Sequence, residues 1–467
     1  MTAATPATTL DPADVASWAR QPFEELFLLG REEVQEPQRQ ALVRRFESLR
    51  KEVAALDKLA TRQGIDRFDT VADAIPLFFD HRVYKSYPLS LIEKRQFTRL
   101  TRWLRRLTTH DITAIPLDGL TSVDSWLDRL DEHGMIVGHS TGTTGKLSFI
   151  PRSKVEWPAW QSAYFQTMRA STGVDSRKER IPNVSVSGYR SGHQMMTKMG
   201  KLFGQQEAGG EANRHLLYDY ALSSDLLSLA ARLQDAEERG ELDQLEIDRQ
   251  LLEERAQFIE ASRHREADML QWFAKQADQF RGQRVRVGGT AGDLVRLVVA
   301  ARKAGITCEF APGSILMSGG GMKGYRDAPA DWQDLIKDFF GIDRLCSMYG
   351  MSECMGQAPL CSEGYFHFLP YTIPVVLDED AVPMPTHGVH TGRLALFDLL
   401  AETYWGGFIS GDRVTIHWDE DCACGWKGPR IDREIVRFGE LAGGDDKITC
   451  AGTAKAYNEF MDYVSGA

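Results

Sequence analysis

Residues 135–151 read M-I-V-G-H-S-T-G-T-T-G-K-L-S-F-I-P, and this stretch is the most informative about the fold. Two apolar runs flanking a loop of Gly, Thr and Ser predict a strand, a loop and a second strand. Glycines at 142 and 145 allow tight turns, so the loop's amide and hydroxyl groups can face a ligand with many acceptors, such as a polyphosphate. The loop is not a Walker motif, because Leu147 stands where that motif needs Ser or Thr. A flexible surface loop is the alternative interpretation.

The composition around this loop is that of a folded, acidic protein. The chain has 467 residues and a formal net charge of −11, and 43% of its residues are hydrophobic. At about 100–200 residues per domain, this length suggests two or three domains or one large α/β body with appendages. The acidic charge counts against nucleic acid or an anionic membrane as a partner. We therefore expect partners that are small molecules or proteins.

Targeting features and cysteine usage suggest a compartment. No apolar run approaches the ~20 residues that span a bilayer, and the first 18 residues lack the charged and apolar segments of a signal peptide. The seven cysteines are odd in number and all lie beyond residue 300, which does not suit a secreted disulfide framework. The sequence therefore predicts a soluble, cytoplasmic protein.

Hydrophobic periodicity divides the chain into regions. Residues 1–130 have helical spacing, and residues 222–281 predict a charged pair of helices broken near Gly240. We predict an α/β nucleotide-binding core over 131–350, a β-rich subdomain over 351–445 and a short tail over 446–467. Strand, helix and strand alternate over 285–321, as in a parallel sheet with helices on both faces. The predicted fold class is α/β, with parallel or mixed sheets flanked by helices and a helical N-terminal region.

Three further segments carry chemistry. In Tyr349-Gly350-Met351-Ser352-Glu353 an aromatic ring can stack on a base, and the carboxylate can hold a hard cation such as Mg²⁺. In Ser410-Gly411-Asp412 a carboxylate at a strand end can accept two hydrogen bonds from vicinal hydroxyls. Small residues follow a predicted strand at Ser318, Gly319, Gly320 and Gly321 and would let a planar ring lie on the backbone. Each segment alone is also compatible with ordinary packing.

The order of these four motifs resembles the adenylate-forming superfamily of acyl-CoA synthetases, adenylation domains and luciferases. The resemblance covers roughly residues 135–455 and is strongest to phenylacetate-CoA ligases and acyl-protein synthetases. It rests also on the run C-A-C-G-W-K-G-P-R-I at 422–431, on G-R-L-A-L at 392–396, and on G-G-D-D-K-I at 443–448. The last run occupies the position of the family's hinge.

The resemblance implies an ATP-dependent, Mg²⁺-requiring activation of a carboxylic acid. An acyl-adenylate and pyrophosphate form first, and the acyl group then passes to CoA, a protein thiol or an amine. It implies that Glu353 binds Mg²⁺ and that Lys146, His193 and Lys455 are the other catalytic candidates. It places the nucleotide on Ser140, Thr141, Gly142, Thr143, Thr144, Gly145, Gly319, Gly320, Gly321, Tyr349, Gly350, Ser352, Asp412 and Arg430.

This chain departs from the family pattern at three places. The Pro-Lys expected after the phosphate loop is replaced by Lys146-Leu147, with Pro151-Arg152 further on, so either cation is a candidate to face the pyrophosphate. Gly443-Gly444 replaces the family's Gly-Arg, and Arg430 or Arg437 would substitute for it. Tyr189 and His193 are candidates to border the substrate carboxylate, and a structural histidine is an equal alternative for His193.

Four residues form a candidate metal centre. Cys361 and His367 lie about 55 residues before Cys422 and Cys424, and three thiolates with one imidazole are an established tetrahedral zinc set. Such a zinc ion would be structural, because four protein ligands leave no open position. Buried, reduced thiols in a strand-rich subdomain are the alternative.

The family normally continues past the hinge with a mobile lobe of ~100 residues. Only 21 residues follow Asp446, so we expect adenylation without that lobe, a partner protein that completes the site, or a role for the short tail. Lys455 would then replace the lobe's lysine, and Cys450 is either an acyl acceptor or an ordinary cysteine.

A non-catalytic nucleotide-binding or scaffold protein that docks a partner is the competing interpretation. The intact Glu353 and Asp412 argue against it, whereas the absent lobe argues for it. A phosphotransferase is disfavoured, because no H-R-D-like catalytic segment accompanies the Thr-rich loop.

Overall fold

The computed structural model describes residues 9–140, 145–240, 247, 249–322, 328–419, 421–441 and 453–466. In chain order, its helices are α1 (Val15–Trp18), α2 (Phe23–Leu26), α3 (Arg31–Leu49), α4 (Ala54–Gln63), α5 (Ser90–Glu93), α6 (Phe97–Arg105), α7 (Val123–Glu132), α8 (Trp157–Thr172), α9 (Met195–Leu202), α10 (Gly204–Ala208), α11 (Ser224–Arg239), α12 (Arg249–Arg263), α13 (Arg265–Gln279), α14 (Ala291–Lys303), α15 (Trp332–Phe340) and α16 (Ala454–Ser465).

Its strands are β1 (Phe79–Asp80), β2 (Met135–His139), β3 (Phe149–Ser153), β4 (Asn183–Gly192), β5 (Arg214–Leu222), β6 (Arg286–Thr290), β7 (Ile315–Gly319), β8 (Leu345–Cys346), β9 (Met348–Tyr349), β10 (Ala358–Pro359), β11 (Tyr365–His367), β12 (Thr372–Leu377), β13 (Val389–Asp398), β14 (Gly407–His417), β15 (Arg430–Asp432) and β16 (Val436–Arg437).

The chain forms two compact units that interleave along the sequence. Unit 1 comprises residues 1–140, 148–170 and 349–467, and unit 2 comprises residues 141–147 and 171–348. The predicted domain boundaries at 130, 350 and 445 remain predictions.

Unit 1 is organised around a largely antiparallel sheet. Its strand order is β11-β15-β14-β13-β12, and β1 and β16 also pair with β14. The apolar run of β12 is buried at every position, as expected for a strand covered on both faces. The predicted strand pair around the Thr-rich loop is present, since β2 and β3 pair antiparallel from Met135 opposite Ser153 to His139 opposite Phe149.

The helices of the N-terminal region and of the C-terminal end pack together in unit 1. Helix α16 packs against α4, and the ring of Phe460 stacks on Phe79 with centroids 5.7 Å apart. An ion pair joins Arg62 to Glu459 at 2.7 Å. Arg106 donates to the carbonyl of Val464 at 3.0 Å, so a cation satisfies a carbonyl at the helix C-terminus. The last helix is therefore tied to the first helices by both apolar and polar contacts.

Unit 2 contains a parallel sheet with the strand order β5-β4-β6-β7-β8. Helix α14 follows β6 directly, because Thr290 ends the strand and its side chain caps the helix by accepting from the Asp293 amide at 3.1 Å. The next strand, β7, then pairs parallel with β6. This confirms the predicted alternation of strand, helix and strand.

The charged region 222–281 differs from its prediction as two helices. Helix α11 ends at Gly240, and two helices follow it, α12 and α13, which separate at His264. Helix α13 is part of the core of unit 2, where Phe273 is fully buried between the rings of Phe339 and Phe340. The many charged residues of this helix obscured its apolar face in the sequence. The predicted break at Gly240 is present, whereas the single helix predicted after it is divided into α12 and α13, and α13 packs into the core.

The predicted fold class is confirmed: the structure is mixed α/β with a helical N-terminal region. None of the helices in the described part of the chain has the length and apolar character needed to cross a membrane.

Replacing Phe273 by Ala should lower the free energy of unfolding by about 3–5 kcal/mol, because the cavity left in a packed core cannot collapse fully. Denaturant unfolding, followed for wild type and variant, measures this loss. Phe258→Ala is the matched control, because Phe258 lies on α12 with 37% of its surface exposed and should change stability by less than about 0.5 kcal/mol. Equal losses for the two variants would contradict the placement of α13 in the core.

Candidate nucleotide site and candidate metal centre

The side chains of Tyr349 and Arg437 both lie against Asp412, which is on strand β14 of unit 1. The short strand β16 places Arg437 directly opposite Asp412. The Tyr349 hydroxyl donates to Asp412 Oδ2 at 2.7 Å, and Arg437 Nε lies 3.6 Å from Oδ1 of the same carboxylate. Burial, and next the charge of Asp412, raise the pKa of Tyr349, so the phenol stays a donor. The structure thus brings Tyr349 and Asp412, predicted from separate motifs, into one hydrogen-bonded pair.

Glu353 is a buried carboxylate within electrostatic range of Asp412 and Arg437. Only 9% of its surface is exposed, and burial raises the pKa of Glu353 above its usual value. The charges of Arg152 and Arg437 oppose that rise, whereas the charge of Asp412 adds to it. A buried carboxylate that is costly to ionise gains most from a cation beside it. Glu353 therefore has the environment expected of a cation ligand.

Arg152 supports the segment that carries Glu353. It lies fully buried on β3, donates from Nη2 to the carbonyl of Ser352 at 2.7 Å, and stacks over the ring of Trp160 at 4.6 Å. Its Nε also lies 3.4 Å from the Tyr404 hydroxyl. Sequence reasoning considered Arg152 only as a cation for the pyrophosphate. In the structure, Arg152 instead binds the backbone carbonyl of Ser352, the residue before Glu353.

Arg430 lies away from Asp412. Strand β15 places it opposite His417, five residues further along β14 and thus about 17 Å from Asp412 along the strand. Its guanidinium lies 5.0 Å from the centre of the Tyr365 ring. Of the two arginines considered as substitutes for the family's Gly-Arg, the structure therefore brings Arg437, and not Arg430, to Asp412.

The remaining candidates of unit 1 are distributed along the chain. Ser140 is bonded to Ser148 on the other side of the Thr-rich loop. The Ser140 amide donates to the Ser148 carbonyl, and the Ser148 amide donates to the Ser140 hydroxyl, each at 3.1 Å. Gly350 packs so closely on Gln357 that an added Cβ would lie 2.9 Å from its Cγ. Lys455 is exposed on the first turn of α16. The catalytic role of Lys455 stays a prediction.

The candidates of unit 2 lie toward the carboxyl ends of its parallel strands, where ligands of open α/β sheets bind. Tyr189 on β4 stacks on Tyr218 with centroids 4.5 Å apart, and burial raises the pKa of Tyr189. Gly319 ends β7 opposite Thr290, followed by Gly320 and Gly321 in the left-handed region. Gly145 and Lys146 are described, whereas Thr141, Gly142, Thr143 and Thr144 lie outside the described residues.

His193 has a neighbour that sequence reasoning missed. Both His193 and Lys198 are more than nine-tenths buried, and Lys198 Nζ lies 3.2 Å from His193 Nδ1. Lys198 lies on the buried face of α9, between Met195 and Met199. The sequence pattern that could have indicated this contact is a lysine placed between two methionines on one face of a short helix. The structure thus gives His193 a polar partner, and its catalytic role stays a prediction.

The four residues predicted as a metal centre lie together in unit 1. The three sulfurs and one imidazole nitrogen of Cys361, His367, Cys422 and Cys424 are all within 4.8 Å of one another. The sulfurs of Cys361 and Cys422 are 3.9 Å apart, and Cys424 Sγ lies 3.7 Å from His367 Nε2. Zn–S and Zn–N bonds of about 2.3 and 2.0 Å in a tetrahedron place such pairs about 3.8 and 3.5 Å apart. The donor atoms therefore fit a tetrahedral ion.

Two turns position these donors. The Cys361 amide donates to the carbonyl of Tyr365 at 2.9 Å, which folds Cys361 back onto the strand of His367. The Gly425 amide donates to the carbonyl of Cys422, and the next amide, of Trp426, donates to Cys424 Sγ at 3.4 Å. Gly425 has a φ of 86°, which favours glycine in this turn. Residues 422–427 are called the knuckle below.

The surroundings of the cluster set the protonation of its donors. Burial, followed by the charge of Arg430, lowers the pKa of His367 to about 4, so its imidazole is neutral at pH 7. Burial also raises the pKa of the Cys361 and Cys424 thiols. A neutral imidazole is the form that binds metals, and the thiols would lose their protons to an arriving cation.

Replacing Glu353 by Gln should increase stability at high pH. The folded protein holds the Glu353 proton more tightly than the unfolded chain, whose carboxyl pKa is near 4.5, so the stability due to the acid form is lost as pH rises through the raised pKa. We expect the free energy of unfolding of Glu353→Gln to exceed that of wild type by an amount that grows from pH 5 to pH 8. Denaturant unfolding in metal-free buffer measures it, with Glu132→Gln as the exposed control. A wild-type advantage at pH 8 would contradict this.

Comparison with known proteins identifies the fold. No family model matches the chain, and no curated protein matches it. Among solved structures, an open conformation of 2-hydroxyisobutyryl-CoA ligase in complex with 2-HIB-AMP and CoA superposes with a TM-score of 0.50 at 12% identity, over 94% of this chain and 75% of the ligase.

Two further structures have lower scores. MatB from Rhodopseudomonas palustris has a TM-score of 0.35 at 14% identity over 65% of this chain, and the amide bond synthetase McbA from Marinactinospora thermotolerans has 0.34 at 14% identity over 68%. The matches span 48% of MatB and 51% of McbA, about half of each. The superposition shows that this chain shares its overall fold with the CoA ligase.

Proposed function

We propose that this protein is an AMP-forming ligase that activates a carboxylic acid with ATP. The observation that carries the proposal is the contact of Tyr349 with Asp412, which joins two motifs far apart in sequence. Arg437 lies beside the same carboxylate, and Glu353 is within its electrostatic range. The ligase that superposes on this chain is described with a bound adenylate and CoA, which is consistent with this chemistry.

In the proposed first step a substrate carboxylate oxygen attacks the α-phosphorus of ATP, and pyrophosphate leaves. Asp412 would accept hydrogen bonds from the ribose hydroxyls, while Tyr349 keeps the carboxylate oriented. Arg437, with 67% of its side chain exposed, would hold a phosphate oxygen or a ribose hydroxyl beside Asp412. Positioning and charge stabilisation of this kind provide much of the rate of such reactions.

Glu353 would bind Mg²⁺, which neutralises charge on the phosphates. Arg152 would fix the Glu353 backbone through the Ser352 carbonyl, so the carboxylate needs no reorganisation when the cation arrives. The roles that the family resemblance implies for Lys146, His193, Gly319 and Lys455 remain predictions. The acyl acceptor in the second step is CoA, a protein thiol or an amine.

We further propose that the Cys/His cluster holds a structural zinc ion. The donor separations match those of a tetrahedral ion, and all four positions would be filled by protein ligands. This ion would have no part in the chemistry of adenylation.

Exchange of radiolabelled pyrophosphate into ATP tests the proposed reaction across a panel of aryl and aliphatic carboxylic acids. We expect exchange that depends on one class of acid and on Mg²⁺. Asp412→Asn and Glu353→Gln should each lower it by about 10²–10³-fold, because each removes a group that stabilises developing charge. The exposed carboxylate variants Asp66→Asn and Glu132→Gln are the controls and should keep wild-type rates. Nucleotide binding without exchange for any acid would instead favour the non-catalytic alternative.

Metal analysis of the purified protein should find about one zinc ion per chain, because one Cys₃His set binds one ion. Cys424→Ser should lose the metal and be less stable to denaturant. Cys308→Ser is the control, because Cys308 is also half-buried but lies in unit 2, outside the cluster. Equal zinc content in the two variants would refute the assignment of the ligands.

A further inference from the structure

The N-terminal segment, residues 9–30, lies against the knuckle. Phe27 is 1% exposed, and its ring stacks on Trp426 with centroids 4.3 Å apart and planes within 6°. The Lys427 amide donates to the Phe27 carbonyl at 2.7 Å. Phe23 adds an edge contact to Trp426 at 6.2 Å. The residue that follows α2, Phe27, thus packs against the knuckle.

The knuckle has no regular secondary structure to hold its own shape. Its backbone is set by the turn from Cys422 to Gly425 and by the bond from the Trp426 amide to Cys424 Sγ. The His367 ring also has edge contacts with Trp426 at 5.3 Å and with Phe27 at 5.9 Å. The Trp426 ring thus lies between the Cys/His cluster, through His367, and the N-terminal segment, through Phe27.

We propose that a metal ion in this cluster is a clasp that fixes the N-terminal segment to the β-rich part of unit 1. An ion bound by four ligands holds the knuckle and the strand of His367 in one geometry, so that Trp426 and Lys427 meet Phe27. Without the ion, the donor atoms of the cluster are in contact at 3.7–3.9 Å, and such thiol and imidazole contacts are weak. The pairing of β11 with β15 and the bond from the Phe368 amide to the Pro429 carbonyl begin only beyond the knuckle, so they do not fix residues 422–427. The inference rests on the metal site proposed above and not on the proposed adenylation chemistry.

Contacts of the N-terminal segment outside the knuckle limit which residues should loosen when the metal is removed. The Phe23 amide donates to Gln166 Oε1 at 3.2 Å, and Gln166 Nε2 donates to the Gln21 carbonyl at 2.7 Å. An ion pair joins Glu24 to Arg169. These bonds to α8 do not involve the knuckle. Loss of the metal should therefore loosen residues 18–30 and the knuckle locally, without unfolding the protein.

Hydrogen–deuterium exchange with mass spectrometry tests this on the full chain, zinc-loaded, chelator-stripped and reloaded. Stripping should speed amide exchange about tenfold in peptides covering 18–30 and 422–430, roughly the effect of losing one stacked aromatic pair. Adding zinc back should restore protection. Peptides over β4 in unit 2 and over α16 should exchange at the same rate in all three states.

Trp426→Ala separates the clasp from the metal, because it leaves all four ligands in place. It should keep the wild-type zinc content and still show fast exchange over 18–30, while Cys308→Ser should behave as wild type in both respects. Wild-type protection of 18–30 in Trp426→Ala or in the stripped protein would overturn the clasp. A uniform loss of protection across both units, or a protein that takes up no metal, would overturn it too. Pyrophosphate exchange, measured on the same samples, separately decides the proposed reaction.

Discussion

The pairing of β14 with its neighbours is the constraint on which both candidate sites depend. This strand pairs with β1, β13, β15 and β16. Its register with β16 sets Arg437 against Asp412, and its register with β15 sets Arg430 against His417. Strand β15 in turn places Arg430 opposite His367, so the same ladder leads to the Cys/His cluster. A slip of one residue would move every side chain to the opposite face and separate both sets of partners.

Burial of charge gives the candidate nucleotide site its character. Unpaired buried charges are costly, so folded proteins retain them where a partner or a ligand compensates. Arg152 is compensated by the Ser352 carbonyl and the Trp160 ring, and Asp412 by a phenol and a guanidinium. The pKa of Glu353 nevertheless stays raised, which means that these neighbours do not fully offset its burial. A cation placed beside Glu353 would therefore stabilise its ionised form.

The Cys/His cluster lies where the chain has little regular secondary structure. The segments that carry its four residues are turns and strands of three residues, which form few ladder bonds. Aromatic rings of Phe27, Trp426 and His367 fill the space between the knuckle and the N-terminal segment. The proposed zinc ion, bound by ligands from both segments, would add a cross-link to the short pairing of β11 with β15. In this respect the N-terminal region belongs structurally to the β-rich part of the chain.

The sequence by itself determined the fold class, the strand pair around the Thr-rich loop, the alternation in the parallel sheet and the four cysteine and histidine donors. These features follow from local periodicity, turn residues and spacing, which a single chain displays directly. It did not reveal the apolar face of α13, because charged residues on the other faces of that helix masked it. Only the tertiary structure decided that Arg437 rather than Arg430 meets Asp412, that Arg152 supports Ser352, and that Phe27 rests on Trp426. Those contacts join residues 25 to 399 positions apart, and strand register and packing, which no local pattern encodes, bring them together.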